Sequence, residues 1–223
     1  MPQQLAFDLP TNVRQGAQDF FVSQANEVAY AMLQTPANWP DCKLALIGPA
    51  GSGKTHLARV FAAHFGGSVM PATKITPQTP LPHGPLVVED ADSLSTAGEE
   101  WLFHAHNSMA RDGHVLLLTG RTPPARWSIA LPDLASRMSA TTTVTIADPD
   151  DALLTAVLLK HFADRQLAPT PDAVAYLLKH LPRSFDAVRQ SVDALDRAAL
   201  AQGKPLTRPF VRAVLDTLAP DAQ

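Results

Sequence analysis

The chain has 223 residues, 46% of them hydrophobic and 17% charged, and a formal net charge of −3. That is enough for one α/β domain with a packed core plus a small appendage, and the acidic balance argues against a strongly basic nucleic-acid binder. The single cysteine, Cys42, excludes an intramolecular disulfide and a multi-cysteine metal site; with no apolar run of membrane-spanning length and no basic-then-apolar leader, a cytoplasmic protein with no membrane partner is expected.

Residues 1–17 are polar and Pro-containing and read as an N-terminal tail. Asp19 to Leu33 has a helical apolar pattern with Asn26 inside it, and Pro36 to Pro40 breaks the chain. Strand candidates then recur at Leu44–Ile47, Ser68–Met70, Leu86–Val88, Val115–Thr119 and Thr143–Ile146, with helical stretches between most of them. This alternation over residues 18–147 predicts an α/β domain with a parallel five-stranded sheet and helices on both faces. The Pro-rich run Ile75 to Pro85 is a loop by composition.

The strands stop at Asp148, and residues 148–223 read as an α-helical appendage of about four helices. Asp148-Pro149-Asp150-Asp151 is a helix start, with a cap, a proline in the first turn and acids near the positive end. Thr170-Pro171-Asp172 repeats the device, and Ser184 and Thr207 offer further caps. The eight histidines lack metal-binding spacing; His104 and His106 would point to different faces of a helix and read as structural or exposed.

Gly48-Pro49-Ala50-Gly51-Ser52-Gly53-Lys54-Thr55 fits the phosphate-loop pattern G-x-x-x-x-G-K-[ST], between a buried strand and a helix read over Thr55–Phe65. The glycines let backbone N–H groups turn toward a polyphosphate, and the helix start, with His56 in its first turn, adds favourable partial charge. Lys54 is expected on the β- and γ-phosphates and the Thr55 hydroxyl on Mg²⁺, so ADP or ATP with Mg²⁺ is the expected ligand. Leu86-Val87-Val88-Glu89-Asp90 reads as the partner strand, ending in Glu89 for the metal and Asp90 for the attacking water. The extra methylene of Glu89 predicts altered metal geometry and slow turnover. Thr119 closes the strand Val115–Thr119 with a hydroxyl.

Leu131-Pro132-Asp133-Leu134-Ala135-Ser136-Arg137-Met138 is a short helical segment carrying an arginine before the last strand. Such an arginine can stabilise transition-state charge in a neighbour's site, or pair locally with Asp133 at i,i+4. Both readings stay open at this point.

The motif order and the helical appendage resemble the AAA+ ATPase family, and its DnaA-related branch in particular. Phe20-Phe21-Val22, with Asn26 and Ala29, looks like that branch's first motif, which packs around adenine, and so implies Phe21, Val22 and Asn26 in the base site. Leu116 to Pro124 is similar to its sensor 1 segment, which implies that Thr119 lies near the γ-phosphate. Leu131–Arg137 closely resembles the arginine-finger segment of the Hda group, the regulatory inactivators of DnaA. Asp193-Ala194-Leu195-Asp196-Arg197-Ala198 and Pro209-Phe210-Val211 look like that group's C-terminal part. The resemblance covers residues 18 to 218 and implies a P-loop AAA+ domain with a lid.

It also implies partners. Gln4-Leu5-Ala6-Phe7-Asp8-Leu9 is similar to the peptide that binds the bacterial sliding clamp, with Leu5, Phe7 and Leu9 as apolar anchors and Gln4 as the polar contact. No helix-turn-helix segment is expected after the appendage. The family's sensor 2 arginine falls at Asp186, an acid, with Arg183 and Arg189 nearby as substitutes. The resemblance to the Hda group implies a protein that works bound to ADP.

The expected function is therefore a DnaA-related nucleotide-binding regulator with weak ATPase of its own at most. With the DNA-loaded clamp, the β subunit of DNA polymerase III, it promotes hydrolysis of DnaA-bound ATP through Arg137 and prevents re-initiation. DNA is reached through the clamp, and homo-oligomerisation stays open. The alternative is an autonomous AAA+ ATPase, a helicase loader or other replication-assembly factor, with Glu89 and Asp90 driving steady turnover.

Overall fold

A computed structural model describes residues 20–218. They fall into two compact units, one spanning 24–147 together with Phe20, the other spanning 148–218 together with 21–23.

In the first unit, β1 (Lys43–Ile47), β2 (Ser68–Pro71), β3 (Leu86–Glu89), β4 (Leu116–Gly120) and β5 (Thr143–Thr145) form one five-stranded sheet in the order β2-β3-β4-β1-β5. Every pairing is parallel. β1, β3 and β4 are buried along their whole length, as strands covered on both faces must be. The two-residue period of β1 divides the core. Ala45 and Ile47 join Leu86, Val88, Leu116 and Leu118 under α3 (Thr96–Asp112) and α4 (Pro132–Ser139). Leu44 and Leu46 join Val87, Leu117 and Val144 under α1 (Glu27–Gln34) and α2 (Lys54–Phe65). Because β1 lies between β4 and β5, the step from β1 to β2 crosses to the far edge. The crevice at the carboxyl ends of β1, β3 and β4 is where such sheets bind ligands.

Several boundaries differ from the sequence reading. The first helix begins at Glu27, not Asp19: residues 20–23 are irregular, 24–26 form a turn, and Asn26 stands at the helix start, a position asparagine favours. Pro36 to Cys42 is not a plain break but two short 3₁₀ turns, each opened by a proline. Glu89 is the last residue of β3, and Thr119 sits inside β4 rather than at its end.

The second unit packs α5 (Asp151–Asp164), α6 (Pro171–His180), α7 (Phe185–Gln202) and α8 (Arg208–Leu218) around Leu158, Phe162, Leu177, Val188, Leu195 and Val211. Asp150, not Asp148, caps α5 by accepting the Leu153 N–H at 2.8 Å, so Pro149 precedes the cap instead of entering the first turn. Ser184 accepts the Ala187 N–H at 3.4 Å, and Pro171 opens α6. Arg165 ties the end of α5 to Asp193 on α7. Among the described residues no helix is long and apolar enough to cross a membrane.

Candidate functional site

β1 runs through the loop 48–53 straight into α2. Gly51 and Gly53 adopt φ of 78° and 89°, the left-handed region that glycine enters without a steric cost. A Cβ on Gly48 would stand 2.8 Å from Ser52 Oγ and 3.1 Å from Ile146, so the loop closes only without one. Lys54, 7% exposed, turns back so that Nζ donates to the carbonyls of Gly48 at 2.7 Å and Pro49 at 2.8 Å. Burial pulls its pKa down, and the charge of Asp90 works in the opposite direction. The Ser52 hydroxyl is buried with no hydrogen-bond partner, and no side chain caps the start of α2. An inward cation, an unpartnered hydroxyl and a bare helix N-terminus around a glycine cradle fit a phosphate group. Thr55, exposed in the first turn, offers its hydroxyl beside them.

The neighbouring strand ends bring acids to the same edge of the sheet. Glu89 is 5% exposed; its Oε1 makes no hydrogen bond, and Arg59 Nε lies 3.9 Å away. A buried carboxylate oxygen of this kind, with the Thr55 hydroxyl, is a hard-oxygen donor set suited to Mg²⁺. Asp90 follows in the left-handed region at φ 51°, exposed, and its N–H donates to Thr119 Oγ1 at 3.0 Å. Thr119, fully buried, thereby fastens the end of β4 to that of β3. Asp92, outside the predicted set, accepts the Arg121 N–H at 2.7 Å and braces the segment after β4.

The predicted adenine motif resolves unevenly. The Phe20 ring stacks on His56 at 5.8 Å and on Tyr30 at 6.0 Å, and lies against Gly53, where a Cβ would meet it at 3.2 Å. Phe20, in the same motif as Phe21 and Val22, thus lays an aromatic ring against the phosphate loop within this unit. Phe21 and Val22 are half-buried and group with the second unit, while Asn26 is buried and its carbonyl accepts the Tyr30 N–H.

Arg137 projects from α4 toward α3. Its Nη1 donates to Asn107 Oδ1 at 2.5 Å and lies 3.4 Å from His106 Nδ1, while its guanidinium sits 4.8 Å over the Phe103 ring. Its partners are therefore on α3 rather than Asp133, the local partner that spacing suggested. His106 is 4% exposed, and burial, reinforced by the charges of Lys43 and Arg137, pushes its pKa down to about 4. Phe103, His106 and Asn107 share one face of α3, a signal present in the i, i+3, i+4 spacing but silent about what it faces.

In the second unit Arg183 pairs with Asp151 at 2.9 Å. Asp186 accepts bonds at 2.6 Å from both Arg189 and Gln190. Both arginines near the sensor 2 position are thus paired with acids. Gln4, Leu5, Phe7 and Leu9 lie outside the described residues.

This geometry has counterparts. Domain III of the Thermotoga maritima replication initiation protein DnaA superposes with a TM-score of 0.71 at 16% identity, over 91% of this chain and 96% of that one. AMPPCP-bound DnaA from Aquifex aeolicus gives 0.67 at 15% identity, over 89% of this chain and 68% of that one. The Thermotoga maritima RuvB Holliday junction branch migration motor gives 0.64 at 18% identity, over 90% and 71%. The fold is that of an AAA+ ATPase. Residues 151–215 match the family model described as "Hda, lid domain". The chain is thus similar to DnaA in its fold and to Hda in its lid.

Proposed function

We propose that this protein is a nucleotide-holding AAA+ regulator of the Hda type, which stimulates hydrolysis of ATP bound by DnaA. The observation that carries the reading is an Hda lid match on a DnaA-like fold. The phosphate loop Gly48–Thr55 would hold ADP or ATP, with Lys54 on the phosphates, Phe20 against the loop and Asn26 in the base site. Thr55 and Glu89 would hold Mg²⁺, which neutralises phosphate charge when bound. Arg183, paired with Asp151, would contribute less than a free sensor 2 arginine. With Glu89 in place of an aspartate and an acid at position 186, the protein holds its nucleotide rather than cycling it.

Its action is exerted in a partner. The peptide at Gln4, Leu5, Phe7 and Leu9 docks on the DNA-loaded sliding clamp in the cytoplasm. Arg137 leaves Asn107 and Phe103 and meets the γ-phosphate of DnaA-bound ATP, where a guanidinium stabilises developing charge. The test is hydrolysis of ATP pre-bound to DnaA with ADP-loaded protein and clamp-loaded DNA. Stimulation that disappears when the clamp is omitted is expected; its absence with folded, loaded protein would contradict the reading. The helicase-loader reading draws on Glu89, Asp90 and Thr119 gathering at one edge of the sheet. It requires brisk steady-state ATP turnover by the protein alone, which our reading predicts to be near background.

A further inference from the structure

Helix α3 grips α4 at two places. Glu99, Phe103, His106 and Asn107 recur at i, i+4, i+7 and i+8, one side of a helix. At one place the guanidinium of Arg137 rests on Phe103 and Asn107. At the other stands Glu99, a carboxylate only 4% exposed. Its Oε1 accepts the Ala130 N–H at 3.1 Å and its Oε2 the Leu131 N–H at 2.8 Å. These amides lead into α4, whose start has no side-chain cap of its own and carries Pro132, which lacks an N–H, in its first turn.

A buried carboxylate is costly unless its oxygens are bonded, and here both oxygens meet the backbone of a single short segment. Apolar contacts of Leu134 and Met138 already hold α4 to the core. Such contacts are non-directional and leave the helix free to turn or slide slightly. Two directed bonds at its entry remove that freedom.

We infer that Glu99 is a positioning residue for the trans arginine: its carboxylate fixes the entry of α4 and so the place from which Arg137 is offered to the partner's nucleotide. This rests on the function proposed above. The variant that isolates the chemistry is Glu99→Gln, which keeps the shape and one acceptor but turns an NH₂ toward a backbone donor.

Wild type, Glu99→Gln, Glu99→Asp and Arg137→Ala are compared in three measurements: hydrogen exchange of the 130–131 amides, ADP affinity, and hydrolysis of DnaA-bound ATP against protein concentration. For Glu99→Gln the expected result is faster exchange at those amides and a maximal rate about tenfold or more below wild type, since small misplacements cost rate steeply. The half-maximal concentration and ADP affinity stay at wild-type values, and Glu99→Asp recovers part of the rate. A wild-type maximal rate in Glu99→Gln while Arg137→Ala is inactive overturns the inference alone. A parallel loss of ADP affinity overturns it too, by showing a general structural defect. A wild-type rate in Arg137→Ala removes the proposed function, and the inference with it.

Discussion

Lys54 spends its charge on two backbone carbonyls of its own loop, which holds the ammonium inward where phosphate oxygens would compete for it. A hydrogen bond to a charged group contributes roughly 1.5–3 kcal/mol. Lys54→Ala is therefore expected to weaken ADP binding by about ten- to a hundredfold in calorimetric titration, with unchanged affinity as the contrary result. His106 has a pH signature of its own. Its folded-state pKa of about 4 lies below the ordinary 6.5, so between those values the unfolded chain binds the extra proton. Stability is full above pH 6.5, falls as pH drops toward 4, and loses on the order of 2 kcal/mol over that window. Denaturant titrations at pH 7 and pH 4.5 should show His106→Gln with a shallower loss than wild type; equal losses would mean that the imidazole is not held neutral by its surroundings.

Helix starts in the second unit are set by single side chains. Asp150 accepts the Leu153 N–H at the head of α5, and replacing such a cap by alanine costs about 1 kcal/mol. Asp150→Ala is expected to lower unfolding stability by about that amount, read by urea denaturation; an unchanged midpoint would show that α5 is set by packing alone. Signals of this local kind explain what the sequence made legible. The phosphate loop, the strands around Leu44–Ile47 and Leu116–Thr119, and the turn before α6 each declare themselves within a few residues. What stayed hidden depends on the fold. Asp148 and Asp150 look equally good as caps, and only the path of the chain chooses between them. The apolar run before α1 looked helical because periodicity cannot show that Phe20 is held on His56 and Tyr30 instead. Arg137 and Asp133 have correct pairing spacing, yet Asn107 and Phe103 arrive from 30 or more residues away and win the guanidinium.

At the scale of the whole molecule the proposed regulator separates its tasks. In that proposal a nucleotide would be held at the carboxyl edge of the sheet and the peptide near the N-terminus would recruit the clamp, while the four-helix unit carries the Hda-like lid. Deleting residues 1–9 is expected to abolish clamp binding in surface plasmon resonance while leaving the melting temperature unchanged; retained clamp affinity would remove the peptide from the account. Within the four-helix unit, Arg183 and Arg189 are paired with Asp151 and Asp186. The central claim is that chemistry occurs in the partner and is driven by an arginine from this chain. The most direct measurement is single-turnover hydrolysis of DnaA-bound ATP, with clamp-loaded DNA and either wild type or Arg137→Ala, both shown to bind ADP equally. The account predicts stimulation by wild type and a rate at the unstimulated level for Arg137→Ala, and equal stimulation by the two proteins would contradict it.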